Sequence, residues 1–542
     1  MRARRRVVIL GAFGLASALL VLGVRSSAPR TPRRGGGTLR IASPFFNSFD
    51  PALRSPRAPA PNGLLPYGLL EGTCATLMAF RDAPAPRGYQ VRPEAAAAPP
   101  KVSRNRRTYV FTLRKGLRFS DGSPLGGANF VEAFHRLLNP AMGSRGAVVF
   151  ADVTRVTATR RRVRIELRRP SADLPTRLAT IFACPVPRGF PADPAGTPLK
   201  VGSGPYYAAR FVQDKLLVLE RNRYYVGPRP RHFDKIVFTA SGDVGSNLRS
   251  VEHGRADVFG GELPPPVRER LAARYGIDRR RVFRIRGTFV TALTLNTTRA
   301  LFRNNVPLRK AINFALDRPA IARRGGGLRS VTPTDQIIPS WVPGWVDRGI
   351  YPIQRPDLTR ARRLAKGHLR GGKVVLYMPV GDPFSTYFPD QAKVIAQNLG
   401  KIGLKVEVKT FSIDALNAKA STPHEPYDML LMAYTLDYPD PANVLIRLLA
   451  GENARRPAGN SNYAYFDDPR YNRRMADANA LSGPARLRAF SKLDADIMRD
   501  EAPWAPLFEG SSWLFISGRL GCFKVHPVVR LDYPAVCRGS AV

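Results

Sequence analysis

Histidine and cysteine are scarce in this chain of 542 residues, which contains six histidines and four cysteines. The histidines are isolated from one another, so no local pattern supports a zinc or nickel site. The sequence also lacks a GxSxG elbow, an HExxH helix, a GxxxxGK[ST] loop, a GxGxxG turn after a strand and EF-hand spacing. We therefore predict no catalytic residue, no metal site and no cofactor, and we expect that the protein is not an enzyme.

Acidic residues are few, because 41 Asp and Glu stand against 85 Lys and Arg and leave a net charge of +44. A positive charge of this size is typical of proteins that bind nucleic acid or an anionic membrane surface. The basic runs, such as residues 160–162 and 279–281, are short and scattered among apolar segments. This pattern favours solvated loops, so we expect no nucleic-acid partner. A basic surface or nucleic-acid-associated protein and a secreted hydrolase remain as alternatives.

A long apolar run occurs at the N-terminus, where residues 7–24 follow a basic start and precede Arg25. This is the pattern of an export signal, and its length nearly spans a bilayer core. Residues 1–24 are therefore predicted to be a signal peptide or a retained membrane anchor, and residues 25–35 a linker. The preceding basic residues favour placing everything after the segment outside the cytoplasm.

Residue periodicity divides the folded part into two regions of different character. Strand patterns dominate before residue 290, and helices with apolar spacings of about 3.6 residues recur after it. The strands are predicted at 38–43, 108–113, 163–168, 216–220, 234–239, 290–296, 373–378 and 405–409, and the helices at 127–138, 306–317, 388–400 and 484–500. The carboxylate pairs Asp467–Asp468 and Asp494/Asp496 are expected at helix starts or on polar faces.

Five stretches in consistent order resemble the peptide/nickel-type family of bacterial extracellular solute-binding proteins, which serve ABC importers. They are TYVFTLRKGLRFSDGSP at 108–124, GSGPY at 202–206, LERNRYY at 219–225, LNTT at 295–298 with VPLRKAINFALD at 306–317, and YDMLLMAYTLDYPDP at 427–441. The resemblance runs from about Gly36 to Phe508. Many members carry a lipidated cysteine after the signal, which this chain lacks, and Tyr434 stands where tryptophan is common.

The resemblance implies an α/β protein with a two-lobed, periplasmic-binding-protein type II-like fold, a hinge, and an extra domain inserted in lobe I. The implied division places lobe I in residues 36–66, 196–288 and 509–542, the extra domain in 67–195, and lobe II in 289–508. At least two chain crossings between the lobes follow from this division.

The implied function is the capture of a peptide or peptide-like solute in the cleft between the lobes. Closure buries the solute, and the permease subunits of an ABC transporter recognise the closed form outside the cytoplasmic membrane. A nickel chelate, haem, an oligosaccharide or an opine in the same fold is the alternative cargo.

Four residues are implied to bind the ligand. Ala433, Tyr434 and Thr435 would accept an extended peptide as an added strand, with the Tyr434 ring lining a pocket. Asp437 would receive the α-ammonium group of the peptide. Locally, Tyr434 is equally typical of a buried strand end and Asp437 of a turn, whereas Asp440 before a proline is typical of a helix N-cap.

Two disulfides are expected in an exported chain with four cysteines, for which three pairings exist. Cys522 and Cys537 are predicted to pair because they lie in a loop-rich tail with prolines that can turn the chain back. Cys74 and Cys184 flank the implied extra domain, and their pairing is the companion expectation. Buried free thiols are the alternative.

Overall fold

The computed structural model describes residues 36–43, 49–53, 70–144, 146–381, 385–455 and 460–539. The predicted signal segment and linker, residues 1–35, lie outside these ranges. Within them, no helix combines the length and the apolar character that crossing a bilayer requires.

Strands occur along the whole described chain. They are β1 (Thr38–Ser43), β2 (Met78–Phe80), β3 (Val91–Pro93), β4 (Lys101–Val102), β5 (Thr108–Thr112), β6 (Val153–Thr159), β7 (Arg162–Leu167), β8 (Tyr206–Val212), β9 (Leu216–Arg221), β10 (Lys235–Ala240), β11 (Val258–Phe259), β12 (Val282–Leu295), β13 (Val331–Pro333), β14 (Lys373–Pro379), β15 (Lys405–Phe411), β16 (Met429–Tyr434), β17 (Trp504–Ile516), β18 (Leu520–Gly521) and β19 (Cys537–Arg538).

Helices are concentrated in the second half. They are α1 (Gly127–Leu138), α2 (Gly146–Val149), α3 (Leu174–Arg177), α4 (Val244–Glu252), α5 (Pro265–Tyr275), α6 (Val306–Ala315), α7 (Arg318–Arg324), α8 (Leu358–Ala365), α9 (Phe388–Gly400), α10 (Ile413–Ser421), α11 (Pro441–Leu449), α12 (Gly451–Ala454), α13 (Pro469–Ala480) and α14 (Gly483–Asp500). Short 3₁₀ turns occupy Arg87–Tyr89, Pro140–Met142 and Ile181–Ala183.

One mixed sheet runs through most of the molecule in the order β15-β14-β16-β12-β17-β11-β1-β10-β9-β8, with β13 paired to β17. β1 is parallel to β10 and β11, and β14 is parallel to β15 and β16, whereas the remaining pairs are antiparallel. Helices cover the parallel segments, as such segments require. The predicted α/β, two-lobed fold class is confirmed.

Two long antiparallel strands, β12 and β17, connect the two ends of this sheet. Residues 282–286 of β12 pair with 511–515 of β17, and residues 289–294 pair with 504–510. The register is irregular between Arg286 and Phe289. The chain therefore crosses from one lobe to the other twice within one ribbon, beside the predicted boundaries at 288 and 508.

Separate apolar cores identify three bodies. The C-terminal lobe is built around buried residues between Ala292 and Phe508. The N-terminal lobe packs residues between Leu39 and Ile285 with residues of β17 and the tail. The small body is built around β4-β5-β7-β6 and α1, with a core drawn mainly from residues 75–183. The exact division into domains given above stays a prediction.

Local patterns explain the small body. In β7, Val163, Ile165 and Leu167 are buried and alternate with more exposed arginine and glutamate side chains, as expected when one face of a sheet meets a core. In α1, Phe130 and Phe134 lie one turn apart on the buried face.

All four cysteines are paired in the structure. Cys74 is joined to Cys184 and Cys522 to Cys537, and each pair has its Cα atoms 5.4 Å apart. The first bond closes a sequence separation of 110 residues and the second one of 15. Chain-entropy arguments give a larger stabilisation to the longer loop.

Candidate functional site

The residues predicted to bind ligand follow one another at the C-terminal end of β16. The strand ends at Tyr434, and α11 begins at Pro441, so Asp437 lies in the intervening turn. The side chain of Asp440 accepts a hydrogen bond from the Ala442 amide at 2.9 Å and caps α11. The predicted N-cap role of Asp440 is confirmed.

Tyr434 is buried in the core of the C-terminal lobe. Its ring lies 4.4 Å from that of Trp504, centroid to centroid, and its hydroxyl pairs with the hydroxyl of Thr294 at 2.5 Å. Burial raises the pKa of the Tyr434 phenol, which therefore stays neutral. These contacts are those of a buried strand end, and the pocket-lining role of the ring stays a prediction.

The backbone of β16 is paired unequally on its two edges. β12 pairs with every residue from Met429 to Tyr434, whereas β14 pairs with Met429 and Leu430 alone. Among the residues that the structure describes, the β14-facing edge has no strand partner beyond Leu430. Ala433 and Thr435 lie along this stretch and are half-buried. An extended chain added at this edge would use main-chain hydrogen bonds, which is strand addition.

Asp437 is buried and paired with a cation. Its side chain is 4% exposed and forms an ion pair with Arg447 of α11, whose side chain is 19% exposed. Charges in such a partly dehydrated setting interact more strongly than at the surface. A cationic ligand group at Asp437 would therefore compete with, or share, the contact to Arg447. The ligand role of Asp437 stays a prediction.

A charged cluster beside Asp437 joins the small body to the C-terminal lobe. The hydroxyl of Tyr438 donates to Asp173 of the small body at 2.7 Å. Arg486 of α14 donates two hydrogen bonds of 2.8 Å to Asp440 and lies 4.0 Å from Asp173. Burial disfavours the charged guanidinium, but the carboxylates of Asp440 and Asp173 outweigh it and hold the pKa of Arg486 above its ordinary value.

A cavity of about 420 Å³ lies between the small body and the C-terminal lobe. Its volume is within the range of small-molecule sites. Asp437 is not in its wall, but the neighbouring Tyr438 and the ion-pair partner Arg447 are. The small-body wall comes from α2, α3 and the segments that precede β5, precede β6 and follow β7, and the other wall from the region of α11, α12 and α13.

Sequence reasoning missed the side chains that connect the bodies. Asp173 and Tyr438 are 265 positions apart, so no local pattern could pair them. Arg447 had a weak signal, because it lies on the helix that Asp440 caps. The predicted disulfide cysteines lie outside the cavity wall. No group of three or more potential metal ligands occurs in the part of the chain that the structure describes.

A family model described as bacterial extracellular solute-binding proteins, family 5 Middle, matches residues 90–456. Protein XP55 of Streptomyces lividans is 28% identical over 356 residues, which are 61% of this chain and 62% of that protein. The chain thus spans somewhat less than two thirds of this relative. A probable di/tripeptide-binding protein 5 of Pseudomonas aeruginosa is 23% identical and is matched over 85% of its length and 80% of this chain.

A solved structure with a similar fold is that of a clavulanic acid biosynthesis oligopeptide binding protein 2. It has a TM-score of 0.81 and 25% sequence identity, and the match covers 94% of this chain and 96% of that chain. The similarity therefore includes all three bodies described above.

Proposed function

This chain belongs to the bacterial extracellular solute-binding proteins of family 5, and on that premise we propose that it captures peptides for import by an ABC transporter. One arrangement carries the proposal: the unpaired edge of β16, the buried carboxylate of Asp437 and an interlobe cavity lie next to one another. Relatives named for di/tripeptide and oligopeptide binding support the choice of peptide over other solutes.

The peptide backbone adds to β16 as a further strand at Ala433–Thr435. Main-chain hydrogen bonds supply affinity that is independent of side-chain identity, and pockets supply selectivity. Asp437 receives the α-ammonium group at the end of this strand. The peptide then shares a carboxylate that Arg447 orients in the empty protein.

Closure takes place about the β12–β17 ribbon. The small body and the C-terminal lobe meet around the bound peptide, and the permease subunits of the transporter recognise the closed form. The protein works outside the cytoplasm, and the segment 1–24 directs it there as a signal or holds it there as an anchor.

The test uses native mass spectrometry and calorimetry. The protein is incubated with a pool of tripeptides, the retained peptide is identified, and its affinity is compared with that of its N-acetylated form. We expect Asp437→Asn to weaken binding of the free peptide at least about tenfold, because removing one partner of a dehydrated ion pair costs about 2–5 kcal/mol. Acetylation should weaken binding to the wild type similarly and add little in the variant.

Asp467→Asn is the matched control. Asp467 pairs with Arg455, another arginine of the cavity wall, so this change also removes the carboxylate partner of a wall cation. It should leave the effect of acetylation intact. Equal binding to wild type and Asp437→Asn would leave Asp437 as a turn residue only. Retention of no tripeptide by the wild type would overturn the peptide function itself.

A further inference from the structure

The cavity between the small body and the C-terminal lobe has an excess of positive charge in its wall. Its arginines are Arg107, Arg168, Arg169, Arg177, Arg447 and Arg455, and its carboxylates are Asp152, Asp173 and Glu452. The wall therefore holds twice as many guanidinium groups as carboxylates.

The three wall carboxylates are all engaged by wall arginines. Arg177 contacts Asp152 at 2.5 Å and Asp173 at 3.3 Å, and Arg169 pairs with Glu452. Among the described residues, neither Arg107 nor Arg168 has a carboxylate partner. These two cations are the uncompensated charge of the cavity.

The small-body sheet holds these two arginines next to each other. Arg107 immediately precedes β5, and Arg168 immediately follows β7. The Leu167 amide donates to the Arg107 carbonyl at 2.8 Å, and Nε of Arg107 donates to the Leu167 carbonyl at 3.1 Å. The Arg168 amide donates to the Asp152 carbonyl at 2.7 Å. The positions of both side chains thus follow from main-chain bonds, although the side chains themselves are exposed.

Deeper in the wall, Nε of two arginines is buried without a hydrogen-bond partner among the described residues: that of Arg177, which lies 3.3 Å from a carboxylate oxygen of Asp173, and that of Arg447. An unpaired buried donor on a charged group is costly, and an anionic acceptor relieves that cost. Apolar side chains, including Val149, Ile446 and Met475, form much of the remaining surface and suit a short aliphatic chain.

We propose that this cavity is a subsite for a carboxylate-bearing side chain, so that the preferred cargo is an acidic peptide. The inference rests on the proposed function, because Asp437 and Tyr438 are consecutive and a peptide amine held at Asp437 lies next to the cavity wall. The amine is then bound by the carboxylate of Asp437, and the acidic side chain by the arginines of the cavity wall.

The test compares matched peptides by titration calorimetry. The probes are Glu-Ala-Ala, Ala-Glu-Ala and Ala-Ala-Glu, each beside the peptide with glutamine in place of glutamate, so that the binding register need not be known. We expect at least one glutamate peptide to bind the wild type about tenfold or more tightly than its glutamine counterpart, as a charge-assisted pair in a partly dehydrated site allows.

The double variant Arg107→Gln/Arg168→Gln should reduce this preference to about threefold or less, because the affinity falls more for the glutamate peptides than for the glutamine peptides. The control is Arg104→Gln, which removes an exposed arginine of the same body outside the cavity wall and should leave the preference unchanged. No preference in the wild type, or a preference that survives in the double variant, would overturn the inference while peptide capture stands.

Succinate alone separates this inference from the proposed function. If neither the glutamate peptides nor the glutamine peptides bind, peptide capture is overturned. Succinate binding that is lost in Arg107→Gln/Arg168→Gln would then still support an anion-selective cavity, and its absence would overturn that as well.

Discussion

At the residue scale, Asp494 departs most from its sequence interpretation. It was expected on a polar helix face, which is wrong, because its side chain is fully buried on α14. The carboxylate accepts hydrogen bonds from Nε2 of Gln336 at 3.0 Å and from the Ile337 amide at 3.1 Å. Burial raises the pKa of Asp494 to about 7, against the opposing effect of these hydrogen bonds.

This raised pKa predicts a pH-dependent stability. Between about pH 4 and pH 7 the folded state keeps the proton on Asp494 and the unfolded state loses it, so the free energy of unfolding falls as pH rises. Asp494→Asn removes this dependence. Urea titrations from pH 4.5 to 7.5 measure the free energy of unfolding of both proteins. We expect the value for wild type minus the value for the variant to fall by up to about 1.4 kcal/mol per pH unit as pH rises.

The exposed Asp477 on the neighbouring α13 provides the comparison. Asp477→Asn should keep a constant difference from wild type over the same pH range. A constant difference for Asp494→Asn would show that this carboxyl does not retain its proton in the folded state.

At the element scale, β12 shows why a strand was predicted too short. The apolar pattern begins near residue 290, but the strand starts at Val282. Arg284 and Arg286 interrupt the pattern, and Gly287 has a φ of +73° at the irregularity between the two halves. The ribbon changes lobes where a side chain cannot be added without displacing a neighbour, since a Cβ on Gly287 would lie 2.0 Å from the Trp341 ring.

Gly287→Ala is expected to destabilise the protein more than Gly116→Ala. Both glycines have a φ of +73°, but a Cβ on Gly116 meets nothing within 4 Å. The backbone conformation alone should cost about 1–2 kcal/mol at either position. The clash with Trp341 should add about 1–3 kcal/mol at Gly287, because overpacking displaces the surrounding structure. Urea unfolding of the two variants measures the difference, and equal losses would contradict the close packing at the ribbon.

At the scale of the whole molecule, contacts across the cavity hold the small body against the C-terminal lobe. Tyr438 belongs to a turn of the C-terminal lobe, but its side chain is buried in the core of the small body. Two further contacts link the same bodies: Nδ2 of Asn479 donates to the Pro170 carbonyl at 3.2 Å, and Nη1 of Arg106 donates to the Ala480 carbonyl at 2.9 Å. Most of these contacts are polar, so water can replace them when the lobes separate.

Tyr438→Phe should therefore shift the empty protein towards an open form. In the closed form the change deprives buried Asp173 of a hydrogen bond, at a cost of about 1–3 kcal/mol, whereas water compensates in the open form. Small-angle X-ray scattering should show a larger radius of gyration than for wild type. Peptide affinity should fall as well, because less of the protein is in the binding-competent form.

The control is Tyr351→Phe. The hydroxyl of Tyr351 donates to the Met498 carbonyl at 2.7 Å within the C-terminal lobe, so its loss should lower stability and leave the radius of gyration unchanged. An unchanged radius for Tyr438→Phe would mean that this hydrogen bond does not hold the bodies together.

The sequence by itself determined the main elements that it predicted and their order. The helices predicted at 127–138 and 388–400 have those bounds, and the predicted strand at 216–220 differs by one residue, because periodicity is a local property. The N-cap at Asp440 followed from the proline after it in the same way. The family, and with it the two-lobed architecture, also followed from ordered local blocks.

Only the tertiary structure decided which side chains meet. The sequence predicted the pairs Cys522–Cys537 and Cys74–Cys184 with buried free thiols as the alternative, and the fold brings Cys74 to Cys184 across 110 positions. The sequence could not show that Tyr438 pairs with Asp173, or that Arg168 and Arg447 lie in one cavity wall. Such contacts depend on sheet register and on the closure of separate cores, which are set by packing between segments far apart in the chain and leave no periodic trace in either segment.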